Sequence, residues 1–134
     1  MKLLILHGPN MNLFGLRSAQ KGDNLTLDKI NRHIRQYIRK KNIDIKIIQT
    51  HNEAKAVSYL QNNRTKFNGL ILTPCAWNQS AYILNDLLRL LKLKYVVINL
   101  NKTDDNQLFS SAKMIFNDDI LVSFEQCLDY FNEK

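Results

Sequence analysis

Glycine is scarce in this chain, with only four among 134 residues. Neither G-x-x-x-x-G-K-[ST] nor G-x-G-x-x-G occurs, which argues against nucleotide binding by a P-loop or a dinucleotide turn. Cysteine is scarcer: Cys75 and Cys127 are too few and too far apart for a disulfide framework or a clustered zinc site. Both read as reduced thiols, one of them a candidate pocket-lining residue, and no metal or other cofactor is implied. Long apolar runs are absent as well. None reaches the roughly 18 residues of a membrane span, and the start, Met1 to Pro9, reads as a strand and a turn rather than a secretory leader. A cytoplasmic protein with no membrane partner is the expectation.

What is present fits one domain, since the length allows a real core and is too short for two ordinary ones. The net charge of +7 comes largely from Lys29, Arg32, Arg35, Arg39, Lys40 and Lys41, within and just after one predicted helix. Arg32, Arg35 and Arg39 lie at helical spacing opposite Ile30, Ile34, Tyr37 and Ile38, the pattern of a solvated helix face. No aromatic-rich RNA motif accompanies the charge, so nucleic acid is not the expected partner.

Strand-length apolar runs alternate with segments of helical period. The strands are read at Lys2 to His7, Asp44 to Gln49, Gly69 to Thr73, Tyr95 to Leu100 and Lys113 to Phe116. Helices are read at Thr26 to Lys41, Glu53 to Asn62, Ser80 to Leu91 and about Asp119 to Phe131. Such alternation predicts an α/β domain with a doubly wound, flavodoxin-like, five-stranded parallel sheet covered on both faces. Ligands of such sheets bind beyond the carboxyl ends of the strands. The segments that follow the strands are therefore the ones to search: His7 to Asn24, Gln49 to Asn52, Thr73 to Gln79, Asn99 to Asp105 and Asn117 to Asp119. Leu16 to Asn24, polar and holding Gly22, reads as a mobile lid.

The run His7-Gly8-Pro9-Asn10-Met11-Asn12-Leu13-Phe14-Gly15 has two readings. As structure alone it is a strand-ending turn with Asx capping. It also resembles the G-P-N-L-N-x-L-G opening of type II 3-dehydroquinate dehydratases, with Arg17 two residues past the last glycine. The resemblance continues through Thr26 to Ile30, Gln49 to Glu53, Leu72 to Trp77 and Val97 to Asn101, and so covers almost the whole chain.

The resemblance implies a metal-free trans-dehydration of a cyclic hydroxy keto acid. A tyrosinate held near arginine takes a proton next to the ketone, an asparagine-bound water stabilises the enolate, and a histidine protonates the departing hydroxyl. Asn10 matches the asparagine and Arg17 the lid arginine. Asp86 matches a carboxylate that reaches a neighbouring subunit's site, which implies a trimer-based homo-oligomer. The lid tyrosine would fall at Gly22, between Lys21 and Asp23. Gln79 stands where the family has its histidine, and Asn99 replaces a second one, with Val97 in place of a glutamate. The family's R-E-x-F-R segment has no counterpart in the stretch from Thr103 to Phe109.

Carried over in this way, the catalytic candidates are Asn10, Arg17 and Gln79. The substrate-binding candidates are Asn12, Thr73, Asn99, Leu100, Asn101 and Asp86, with the ligand's carboxylate near the amides of Leu100 and Asn101. The implied ligand is a small anionic cyclic hydroxy acid. General acid and base catalysis are each worth roughly 100-fold to 10,000-fold, so losing both costs about 5 to 11 kcal/mol of barrier lowering. Lys21, Asp23, His51 and Tyr82 are the ionisable groups that could substitute, against plainer readings as loop charges, a loop histidine and a packing tyrosine. Three functions stay open at this point: a divergent lyase, a small-molecule binding protein on the same scaffold, and a basic accessory protein whose helix face meets an acidic partner.

Overall fold

The structure, a computed structural model, describes residues 1–102, 107–110 and 112–132. Five parallel strands run β1 (Lys2–His7), β2 (Asp44–Gln49), β3 (Gly69–Thr73), β4 (Tyr95–Ile98) and β5 (Lys113–Ile115). Their order in the sheet is β2-β1-β3-β4-β5. The chain steps outward from β1 in both directions, so β1 and β3 flank the switch point and the crevice belongs beyond His7 and Thr73. Part of the segment aligned with the missing family arginine, residues 103–106, lies outside the described residues.

Side-chain alternation divides the core between the two faces. Leu3, Ile5, Ile71, Val96 and Ile98 pack with Ile30, Ile34, Phe124 and Leu128 from α2 (Leu27–Tyr37) and α5 (Ile120–Asn132). Leu4, Leu6, Leu70, Leu72 and Val97 pack with Val57, Leu60, Leu84 and Leu88 from α3 (Glu53–Asn62) and α4 (Tyr82–Leu91). Burial on both faces explains why β1 and β3 are unbroken apolar runs rather than alternating ones. Polar pairs add specificity on one side: His33 of α2 meets Glu125 of α5 at 2.7 Å, and the Tyr37 hydroxyl donates to Asp129 at 2.8 Å. Arg32, Arg35 and Arg39 point away from this seam and are exposed, as the solvated-face reading requires.

Two expectations need correction. The first helix stops at Tyr37, not Lys41, because the next turn tightens: Arg39 N–H donates to Gln36 O and Lys41 N–H to Ile38 O. That tightening redirects the chain so that Ile43, 5% exposed, enters the core ahead of β2. The segment read as a lid loop is helical in its first half, as α1 (Phe14–Gln20). Buried Phe14 and Ser18, four apart, anchor one face of that short helix.

Candidate functional site

At the switch point β1 and β3 are locked together. The Gly8 N–H donates to Thr73 O at 2.9 Å, and a Cβ on Gly8 would lie 2.7 Å from Pro74 O and 2.8 Å from Thr73 O. Only glycine fits there, which explains the first glycine of the opening motif. Asn10 follows at φ 68°, in the left-handed region that asparagine tolerates, and makes no side-chain capping bond. The turn is present, and the Asn10 side chain does not cap it.

His7 closes β1 and is fully buried. Its Nε2 lies 3.1 Å from Asn31 Oδ1 and its Nδ1 3.0 Å from the Thr73 hydroxyl. With Asn31 accepting from Nε2–H, Nδ1 accepts the hydroxyl proton of Thr73, an arrangement that uses neutral imidazole. Burial drives its pKa down from 6.5 to about 4, partly opposed by the bond to Asn31. Phe124 meets the ring edge-on at 5.7 Å.

Two adjoining chambers open at this edge of the sheet. The larger, about 480 Å³, lies between α1, the turn after it, the end of β4 and the start of α5. Phe14, Leu25, Ile120 and Leu121 give it apolar walls, and Arg17, Lys21, Asp23, Asn99, Asp118 and Asp119 give it polar ones. The smaller, about 130 Å³, is lined by Arg17, Cys75, Ala76, Asn78, Gln79, Ile98, Leu100 and Asn101. Arg17 and Leu100 belong to both, so the guanidinium stands at the junction.

Local structure explains these positions. Ser18 ties the turn after α1 down: its hydroxyl accepts from Leu25 N–H at 2.9 Å, and its carbonyl from Lys21 and Asp23 N–H, both at 3.0 Å. The same turn places Gly22 at φ 81° with open space around it. Across the cleft, Asn117 accepts from Asp119 N–H at 2.9 Å and Asp119 from Leu121 N–H at 3.0 Å, a capping arrangement at the start of α5. Cys75, at φ 52°, turns the chain out of β3 into a short 3-10 segment, Cys75–Gln79. Asn78 Oδ1 and Asn99 Oδ1 are buried without a hydrogen-bond partner among the described residues. Each such acceptor costs about 1 to 3 kcal/mol if left unpaired, and each belongs to a residue lining a chamber.

The candidate residues separate into two groups. Arg17, Gln79, Asn99, Leu100 and Asn101 come together around the two chambers. Asn10, Asn12, Thr73 and Asp86 line neither of them. Thr73 is fully buried and holds His7; Asn10 and Asn12 are exposed beside the turn; Asp86 is exposed on the outside of α4. Of the possible substitutes, Lys21 and Asp23 line the larger chamber, whereas His51 and Tyr82 do not line either. The segment Asn117 to Asp119 was placed at a strand end by sequence, but its individual residues were not singled out. His7 was missed too; its signal was a polar side chain in register with the buried Leu3 and Ile5.

Fold and cleft define a doubly wound α/β protein with a cleft at the carboxyl edge of its sheet, beside the switch point and beyond the ends of β3, β4 and β5. The chain belongs to the class II dehydroquinase family, whose description, "Dehydroquinase class II", matches residues 1–119. The 3-dehydroquinate dehydratase of Geotalea daltonii is 30% identical over 115 residues, spanning 86% of this chain and 80% of that protein. The 3-dehydroquinate dehydratase of Thermotoga neapolitana is 28% identical over 81% of this chain and 74% of its own. In fold, the type II dehydroquinase of Butyrivibrio crossotus superposes with a TM-score of 0.83 at 21% identity, covering 99% of this chain and 98% of its own. A 3-dehydroquinate dehydratase-like protein of Bifidobacterium longum reaches 0.69 at 13% identity, with 99% of each chain covered.

Proposed function

We propose that this protein binds a small cyclic hydroxy carboxylate in the two-chambered cleft and lacks efficient dehydroquinate turnover. One observation carries the reading: among the described lining residues there is an arginine at the junction and a set of amides, but no tyrosine and no histidine. Binding groups are retained while the groups that move protons in the family's reaction are not. His7 cannot take the vacant role as it stands, since it is fully enclosed and both its ring nitrogens are engaged.

Charge gives the ligand an orientation. Arg17 is the sole charged residue lining the smaller chamber among the described residues, whereas Asp23, Asp118 and Asp119 outnumber Arg17 and Lys21 in the larger one. A carboxylate therefore belongs toward Arg17, Leu100 and Asn101, and the hydroxylated ring toward Asn99 and the aspartates.

The test is ultraviolet detection of dehydroshikimate, applied to the natural protein and to a Lys21→Tyr, Gln79→His double substitution. Lys21 is preferred to Gly22 as the tyrosine site because it lines the chamber at φ −99°, whereas a side chain at Gly22 would sit at φ 81°. The natural protein is expected to be silent and the double variant to turn over. Rapid turnover by the natural protein would overturn the reading and direct attention to Lys21 and Asp23 as replacement acid and base.

A homo-oligomer forms part of the same proposal. Ile83 and Leu90 are 65% and 71% exposed on α4, on either side of Asp86, an apolar strip that a second copy would cover. Light scattering is expected to give a trimer or a multiple of it; a monomer would remove any role for Asp86 in a neighbour's site.

A further inference from the structure

The opposite edge of the sheet carries a second concavity, an open groove of about 410 Å³ that none of the preceding chemistry uses. It lies where β4 and β5 begin and where α4 and α5 end. Arg89 and Lys92 reach it from the end of α4, Lys94 from the residue before β4 and Lys113 from the first residue of β5. All four are exposed, and no carboxylate ion-pairs with any of them among the described residues. We propose that this groove binds a small anion carrying two or more phosphate groups.

Helix termini account for only part of the charge. The carboxyl ends of α4 and α5 contribute about half a negative elementary charge each, enough to offset one of the four cations. Two of the four cations are held close to each other by the fold. Lys94 Nζ lies 4.4 Å and Lys113 Nζ 5.1 Å from the centre of the same ring, that of Tyr130. Two ammonium groups are thereby kept within about 10 Å of each other, no farther than one Debye length at 0.1 M salt, so part of their repulsion survives screening. An anion bridging them relieves that repulsion, and a phosphate chain, with several charged oxygens along its length, can meet all four cations at once.

The same geometry favours a small phosphate-dense anion over a nucleic acid. Single-stranded nucleic acid is held largely by stacking on free aromatic faces. Here Tyr95 is 8% exposed and the Tyr130 ring is already engaged by the two lysines.

Inorganic tripolyphosphate, titrated calorimetrically into the full chain at low and raised salt, tests the proposal. Saturable binding of one anion per chain is expected, weakening with salt. A Lys94→Gln, Lys113→Gln variant should weaken it at least tenfold, whereas an Arg32→Gln, Arg39→Gln variant of the basic helix should leave it unchanged. Equal loss in both variants, or no saturation, would show diffuse attraction and overturn the site. Tighter binding of a short single-stranded RNA than of tripolyphosphate would overturn the ligand class. Should the lysine variant fail to fold, acylation of the natural protein gives the answer: tripolyphosphate must protect Lys94 and Lys113, and lack of protection refutes the site.

Discussion

The two ends of the sheet offer concavities of similar size, about 480 and 410 Å³, with opposite charge patterns. At the carboxyl edge two cations stand among three aspartates and several amides, within a cleft partly walled by Phe14, Leu25, Ile120 and Leu121. At the amino edge four cations face solvent with no acid among the described lining residues. Volume alone would not tell these sites apart. Charge balance and enclosure do: a partly enclosed cleft of mixed charge can orient a ring bearing hydroxyls and one carboxylate, whereas an open cationic groove selects for anionic charge density.

The largest effect expected at the carboxyl edge is on stability against pH. The unfolded His7 imidazole titrates near 6.5 and the folded one near 4, so between these values the unfolded chain binds more protons. Stability should therefore fall as pH drops through that window, by about 3 kcal/mol in total, and His7→Asn should flatten the dependence in urea unfolding. Next comes Gly8→Ala, which sets a methyl against two backbone oxygens. It should destabilise by about 2 kcal/mol, seen as a lowered Tm, and loosen the junction of β1 and β3. Arg17→Ala should weaken a cyclic hydroxy carboxylate by roughly tenfold to a hundredfold, the worth of a charge-assisted hydrogen bond, yet leave tripolyphosphate binding intact. Equal weakening of both ligands would break the contrast between the two ends. The smallest effect is the stability change in Lys94→Gln, within about 0.5 kcal/mol by thermal unfolding, because the residue is exposed and its cation–π contact with Tyr130 is offset by repulsion from Lys113.

Much of this was legible beforehand, for identifiable reasons. The bounds of β1, β2, α3 and β3 follow from apolar runs ended by polar residues or glycine, and the structure reproduces them. Helix α1 was not legible, because seven residues including a glycine give too short a periodic signal. Within the cleft, proximity to a strand end was readable but the direction of the side chain was not. Thr73 follows the parity of Ile71, which turns it toward α2 and α5 and onto His7. Asn10 and Asn12 sit in the opening motif, yet the left-handed step at Asn10 is a backbone choice that composition does not reveal. The amino-edge groove was invisible for a related reason. Its four cations are scattered between residues 89 and 113 and meet only when α4, β4 and β5 are assembled.

The central claim is retained binding without efficient turnover, and calorimetric titration of dehydroquinate with simultaneous ultraviolet absorbance tests it most directly. The account predicts saturable heat of binding, abolished or strongly weakened in Arg17→Ala, with no growth of dehydroshikimate absorbance. Sustained absorbance growth in the natural protein, or no binding heat at all, would contradict it.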